Sequence, residues 1–192
     1  RLEIVKGESK QGSIAVQSLS KGLLRYNLTL IKEKQSPFSF VYTGVPSWVS
    51  NPLVTWIDTN QIQITGEDTS DHIINGTGEV ILVNYSVIGT GTGGGYLQCT
   101  LNEAIADDGT SYGNGFTALP VTVGEIHQFP NPPEGTYPAP TDINADGLYE
   151  DINGNGLFEY GDPTLFFDQI FFAIKDEPVG QFDFDGNGFI GF

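Results

Sequence analysis

The sequence predicts a mostly β chain: a sandwich, then a small module of acidic loops around one main helix. Three observations predict it. From residue 13 to 124, short runs of alternating apolar and polar residues are broken by Gly, Asn, Asp and Ser, the rhythm of a β-sandwich. Residues 126–141 then carry Pro130, Pro132, Pro133, Pro138 and Pro140, the composition of a semi-rigid extended linker. Past Thr141 the alternation gives way to Asp-, Asn- and Gly-dense loops and a Phe-rich run. The expected organisation is therefore a sandwich over 1–125, a linker over 126–141 and a small module over 142–192. A chain of 192 residues has room for one domain and such a module.

Strands are expected at 13–19, 23–31, 38–42, 53–57, 61–65, 79–88, 96–102 and 118–123, where the side-chain period is two. Leu24, Tyr26, Leu28 and Leu30 share one face, with Arg25, Asn27 and Thr29 opposite. In the long strand, Ile81, Val83, Tyr85 and Val87 oppose Leu82, Asn84, Ser86 and Ile88. Leu97, Cys99 and Leu101 alternate with Gln98, Thr100 and Asn102. The Gly-rich run over 89–95 is read as a connection, because no helix pattern follows it to make a phosphate cradle. His72 beside Asp71 has no activated nucleophile near it in the sequence, so no catalytic constellation is assigned and no enzyme activity is expected.

Charge narrows the partners. The formal net charge is −16, and seven of the eight Lys and Arg fall in the first 34 residues. From Thr141 onward, eleven Asp and Glu stand against Lys175 alone. Such a surface repels nucleic acid and anionic lipid and attracts cations. No stretch is long and apolar enough to insert in a membrane. Cys99, the single cysteine, has no partner for an internal disulfide and is read as a small core residue. Asn27-Leu-Thr29, Asn75-Gly-Thr77 and Asn84-Tyr-Ser86 match the N-glycosylation acceptor pattern. They point to an exported, extracellular chain whose signal segment has been removed.

The acidic loops carry the chemistry. Asp151, Asn153, Asn155, Glu159 and Asp162 fall at positions 1, 3, 5, 9 and 12 of an EF-hand-type loop, with Gly156 at 6 and the Leu157 carbonyl at 7. A hard cation takes six to eight oxygens, and a loop turned at glycine aims alternate side chains at one point. Calcium is the ion expected. Asp162 is also the expected N-cap of a helix over 163–174 that begins with Pro163. Upstream, Asp142, Asn144, Asp146, the Leu148 carbonyl and Glu150 repeat the opening, with Asn153 at position 12. Asp151 is then a candidate for sharing between two ions. Downstream, Asp183, Asp185, Asn187 and the Phe189 carbonyl repeat it 32 residues after Asp151. The sequence ends at Phe192, two residues before position 12 of that loop, so a terminal carboxylate or another carboxylate is expected to complete it. The Phe-rich helix is apolar nearly all round, more than a module of this size is expected to cover alone.

On these loops and the helix between them, residues 151–192 resemble a dockerin. The sandwich, with its closing run 115–124, resembles a cohesin, the jelly-roll partner of dockerins. The two joined by a Pro-rich stretch, with the phrase from Leu148 to Gly156, resemble archaeal cell-surface proteins. The resemblance implies a cohesin-like sandwich, a dockerin-like calcium module, and partner contacts at loop positions 10 and 11, here Tyr160 and Gly161, and Phe192 in the last loop. It also implies a cell-surface location. The function expected first is structural: copies associating through sandwich and module into a surface layer or filament. The alternative is a binding module that docks other surface proteins, enzymes or glycans.

Overall fold

The computed structural model describes residues 1–73 and 76–192, with the side chains of 18, 76 and 77 excepted. The acceptor Asn75 lies outside the described residues. The chain forms two compact units, Arg1–Val123 and Gly124–Phe192.

The first unit is a sandwich of two sheets. Its strands are β1 (Leu2–Val5), β2 (Ser9–Leu19), β3 (Arg25–Lys32), β4 (Phe38–Gly44), β5 (Ser50–Asp58), β6 (Gln61–Glu67), β7 (Gly76–Gly89), β8 (Gly93–Ile105) and β9 (Gly115–Gly124). A six-stranded sheet has the order β1-β9-β8-β3-β6-β5, and a three-stranded sheet has the order β2-β7-β4. The pairs β2–β7, β4–β7, β3–β6, β3–β8, β5–β6 and β8–β9 run antiparallel. Between them lies one apolar core that includes Tyr26, Leu28, Leu30, Phe38, Ile62, Ile64, Val83 and Val87. Tyr26 Oη donates to the Leu82 carbonyl at 2.8 Å, so the buried phenol keeps a partner. Cys99 is in this core, and burial pushes its thiol up to about 11.

Register explains two departures from strict alternation. A bulge between Ile14 and Ala15 shifts the pairing of β2 with β7. The inward phase of β7 therefore changes at Leu82: Val80 and Leu82 are buried on one side of it, Val83, Tyr85 and Val87 on the other. Ile81, expected inward, is 38% exposed. At the start of β3, Leu24 precedes the strand and is 41% exposed, while Leu23 takes the buried place.

The second unit corrects the linker expectation. Phe129 is fully buried in a core with Ile152, Phe166, Ala173 and Phe182, and Ile126 and Tyr137 pack against that core. A two-rung ribbon, β10 (Pro130–Asn131) with β11 (Gly135–Thr136), occupies the middle of the segment. Residues 126–141 belong to the unit because Phe129 supplies apolar area that so small a core needs. The expected single helix is also divided. The unit has α1 (Gly161–Asp168), α2 (Ile170–Asp176) and a short α3 (Val179–Phe182), with non-helical φ and ψ at Gln169 between the first two. Asp162 lies inside the first turn of α1 rather than at its cap. The unit covers more of the Phe-rich run than expected: Phe166 meets the rings of Phe129, Phe182, Phe184 and Phe192. Phe167, Phe171 and Ile174 remain exposed. Among the described residues no helix is long and apolar enough to cross a membrane.

Candidate metal-binding loops

Each of the three acidic loops begins with an aspartate whose two oxygens accept backbone N–H groups from the turn that follows. Asp142 Oδ1 accepts from Asp146 N at 3.3 Å and Oδ2 from Gly147 N at 2.8 Å. Asp151 accepts likewise from Asn155 at 3.0 Å and Gly156 at 2.8 Å. Asp183 accepts from Asn187 at 2.9 Å and Gly188 at 2.8 Å. These are positions 5 and 6 every time.

The remaining bonds repeat as well. The side-chain oxygens of Asn144, Asn153 and Asp185, at position 3, accept the N–H of position 5. Those of Asp146, Asn155 and Asn187, at position 5, accept the N–H of Leu148, Leu157 and Phe189 at position 7. Positions 4 and 6 have positive φ in all three loops: Ala145 and Gly147, Gly154 and Gly156, Gly186 and Gly188. Glycine adopts that conformation freely, so only Ala145 carries strain there. The outcome is a nest of oxygens at positions 1, 3 and 5 pulled to one side of each loop.

The loops differ in what closes them. In the first, carboxylate oxygens of Asp142, Asp146 and Glu150 lie within 4.8 Å of one another, and this is the one such acidic trio among the described residues. Asn144 Nδ2 donates to Asp146 Oδ2 at 3.0 Å and to Glu150 Oε1 at 2.9 Å. Glu150 Oε2 is buried without a hydrogen-bond partner, and an orphaned oxygen among carboxylates suits a bound cation. Asp151 is not in this trio.

The second loop is closed by Asp162, which is fully buried, as is Asp151. Asp162 accepts the N–H of Asn153 and of Glu159, while Asn155 Nδ2 donates to Glu159 Oε1 at 2.9 Å. Asp151 Oδ2 also takes the Thr141 hydroxyl at 2.6 Å, and the two backbones form a bridge. The third loop is held by a bridge between Asp183 and Gly191, with glycine where the other two loops have Glu150 and Glu159. Oxygens of the side chains at positions 1, 3 and 5, a carbonyl at 7 and a carboxylate at 9 or 12 are the donor set of a hard divalent cation. By residue type the first two loops offer this set and the third its opening half; in position, the first gathers three carboxylates within 4.8 Å of one another, whereas Asp151, Glu159 and Asp162 of the second do not come that close together.

Elsewhere in the second unit, Glu177 has a buried side chain and accepts the His127 backbone N–H at 3.1 and 3.2 Å. Burial pushes its carboxyl up to about 7 against the opposing pull of His127, whose Nδ1 lies 3.4 Å away.

In the first unit, Asp68 accepts the N–H of His72 and Ile73, and the His72 ring stacks on Trp48. His72 is thus part of a loop clasp. Asn27, on the solvent side of the six-stranded sheet, accepts from Gln63 at 3.1 Å and Asn102 at 3.0 Å. Asn84 pairs with Ser13 across β2 and is half-buried.

No protein-family model and no curated protein matches this chain. Among solved structures it is similar to the seventh ScaB type I cohesin of Pseudobacteroides cellulosolvens: 13% identity over 68% of this chain and 92% of that one, with a TM-score of 0.52. The cohesin module of a Clostridium perfringens family 33 glycoside hydrolase matches at 10% identity over 65% and 92%, with a TM-score of 0.51. The sixth cohesin of Acetivibrio cellulolyticus scaffoldin B, solved in complex with a Cel5 dockerin, matches at 12% identity over 64% and 93%, also with a TM-score of 0.51. The sandwich of this chain has a cohesin-like fold.

Proposed function

We propose that this chain is an extracellular, calcium-stabilised assembly protein of the cell surface, without enzymatic activity, whose second unit docks on a cohesin-like sandwich. The single observation that carries this reading is the hydrogen-bond pattern repeated at positions 1, 3, 5 and 7 of three loops. Calcium would be held by Asp151, Asn153, Asn155, the Leu157 carbonyl, Glu159 and Asp162 in one loop. Asp142, Asn144, Asp146, the Leu148 carbonyl and Glu150 would hold a second ion. Asp183, Asp185, Asn187 and the Phe189 carbonyl would contribute to a third, completed by water or a further carboxylate. Bound calcium offsets the mutual repulsion of these acids and so orders the unit. Asn27, Asn75 and Asn84 are the positions for N-linked glycans.

The sandwich that receives the unit is taken to belong to another copy, which would build a layer or filament by repetition of one contact. A second reading, docking to a different dockerin-like or cohesin-like partner protein, is favoured by the likeness to a cohesin solved with a dockerin. Calorimetry with calcium on the intact chain tests the metal assignment: Asp142→Ala and Asp162→Ala are each expected to remove one binding event. An unchanged isotherm in both variants refutes it. Sedimentation with calcium and with chelator tests the docking: calcium-dependent growth supports self-assembly, and a calcium-loaded chain in which the second unit has no role in association refutes it.

A further inference from the structure

The first and second acidic loops share a seam. Glu150, at position 9 of the first loop, is the chain neighbour of Asp151, at position 1 of the second. Thr141, the residue before position 1 of the first loop, pairs with Asp151 in an antiparallel bridge. The Thr141 N–H donates to the Asp151 carbonyl at 3.0 Å, and the Asp151 N–H to the Thr141 carbonyl at 3.3 Å. The Thr141 hydroxyl adds a bond to Asp151 Oδ2 at 2.6 Å. One bridge therefore holds both ends of the first loop together with the leading aspartate of the second.

Close packing reinforces the seam. Asp151 is fully buried, while Thr141 lies at the surface. Gly154, at position 4 of the second loop, sits so near the incoming chain that an added Cβ would come within 2.5 Å of the Ala139 carbonyl oxygen and 2.7 Å of Pro138 Cβ. The segment that leads into the first loop is thus laid along the second. The third loop closes differently, because its bridge joins Asp183 to Gly191 within the same turn.

Two effects act on a pair of ions held in this way. Each loop brings three carboxylates, those of Asp142, Asp146 and Glu150 in the first and of Asp151, Glu159 and Asp162 in the second. An ion in one loop lessens the attraction for an ion in the other, an effect that salt screens over about 8 Å at physiological strength. Ordering acts in the opposite sense. The bridge has to be fixed for either loop to present its oxygens, so the first ion bound orders it for both. Salt weakens the first effect and not the second. We infer that the first two loops bind calcium cooperatively, with Thr141 as the positioning residue that transmits occupancy of one loop to Asp151 of the other. This inference rests on the calcium reading of the loops and adds the coupling between them.

The experiment is a calcium titration of the intact chain at physiological salt, followed by the amide resonances of Gly147 and Gly156. Each of these N–H groups donates to the leading aspartate of its own loop at 2.8 Å, so each reports one loop. Asp146→Ala disables the first loop and is expected to raise the calcium concentration at the Gly156 midpoint at least ~5-fold. Thr141→Gly removes the hydroxyl and loosens the bridge, and in that background Asp146→Ala is expected to shift the midpoint less than ~2-fold. Thr141→Ser keeps the hydroxyl and is expected to restore the larger shift. Should Thr141→Gly fold poorly, Thr141→Val, which removes the hydroxyl alone, takes its place. A Gly156 midpoint that Asp146→Ala leaves unmoved overturns the inference while the calcium reading stands, as does an equal shift with and without the Thr141 hydroxyl. Calcium that moves neither glycine refutes the calcium reading and the inference together.

Discussion

Asp162 Oδ1 accepts the backbone N–H of Asn153 at 3.2 Å, nine residues back along the chain, so the end of the second acidic loop is tied to its beginning. Its other oxygen takes the N–H of Glu159 at 2.8 Å. The carboxylate is fully buried, and a buried acceptor of this kind leaves two N–H groups unsatisfied when it is removed. Asp162→Ala is expected to destabilise the second unit by about 2–3 kcal/mol, with the first unit's transition unmoved. Thermal unfolding followed in chelator checks this, since the loss arises from hydrogen bonds before any metal is counted.

Ala145, Gly154 and Gly186 occupy the same position of three loops, with φ of 62°, 65° and 72°. Ala145 is the one with a Cβ in the left-handed region. Ala145→Gly is expected to stabilise the second unit by ~1 kcal/mol. The reverse change is costlier at Gly154, where an added Cβ would meet the Ala139 carbonyl oxygen at 2.5 Å. At Gly186 nothing lies within 4 Å, so Gly186→Ala should lose only the ~1 kcal/mol of backbone strain. Melting temperatures of the three variants, ranked, check the order.

The second unit carries 13 of the 24 Asp and Glu with Lys175 as its only Lys or Arg, whereas the first has its own large apolar core. Carboxylates gathered in loops repel one another without a cation. Chelation is therefore expected to lower amide protection in 141–192 below its calcium-loaded level and leave β3, β6 and β8 protected. Equal protection in both units without calcium would contradict the calcium reading.

Glu177 holds its proton more tightly when folded than when unfolded, because burial raises its carboxyl from 4.5 to about 7. A raised value contributes stability that is fully present below about 4.5 and is lost as pH rises through about 7. The groups facing it are His127, on the segment it clasps, and Asp176 beside it, itself paired with Lys175. Relative to Glu177→Gln, the native chain should lose on the order of 3 kcal/mol between pH 4.5 and 8. Melting the two proteins side by side across that range cancels the titration of the loop acids. A difference that stays constant with pH would refute the assignment.

Much of the sandwich was legible in residue order. Alternation marked eight strands, and the structure has a strand at each, because a two-residue period is imposed by the pleat itself. The short β1 was missed, since four residues, Leu2–Val5, are too few to display a period. The face of Ile81 was misjudged for another reason: a bulge shifts the pairing of β7 without any mark in its own sequence. The acidic loops were legible in spacing, because the turn hydrogen bonds join residues only two to five apart.

By itself, then, the sequence determined what depends on near neighbours: the strands, the three oxygen-rich turns and the negative charge. Tertiary structure alone decided the rest. It drew the Pro-rich segment into the second unit through Phe129, ended the helix at Gln169, and gathered the carboxylates of Asp142, Asp146 and Glu150 within 4.8 Å of one another. It also set Glu177 under the His127 N–H. Those outcomes follow from which apolar surfaces find each other across tens of residues, and burial is a property of the packed chain that no local spacing encodes.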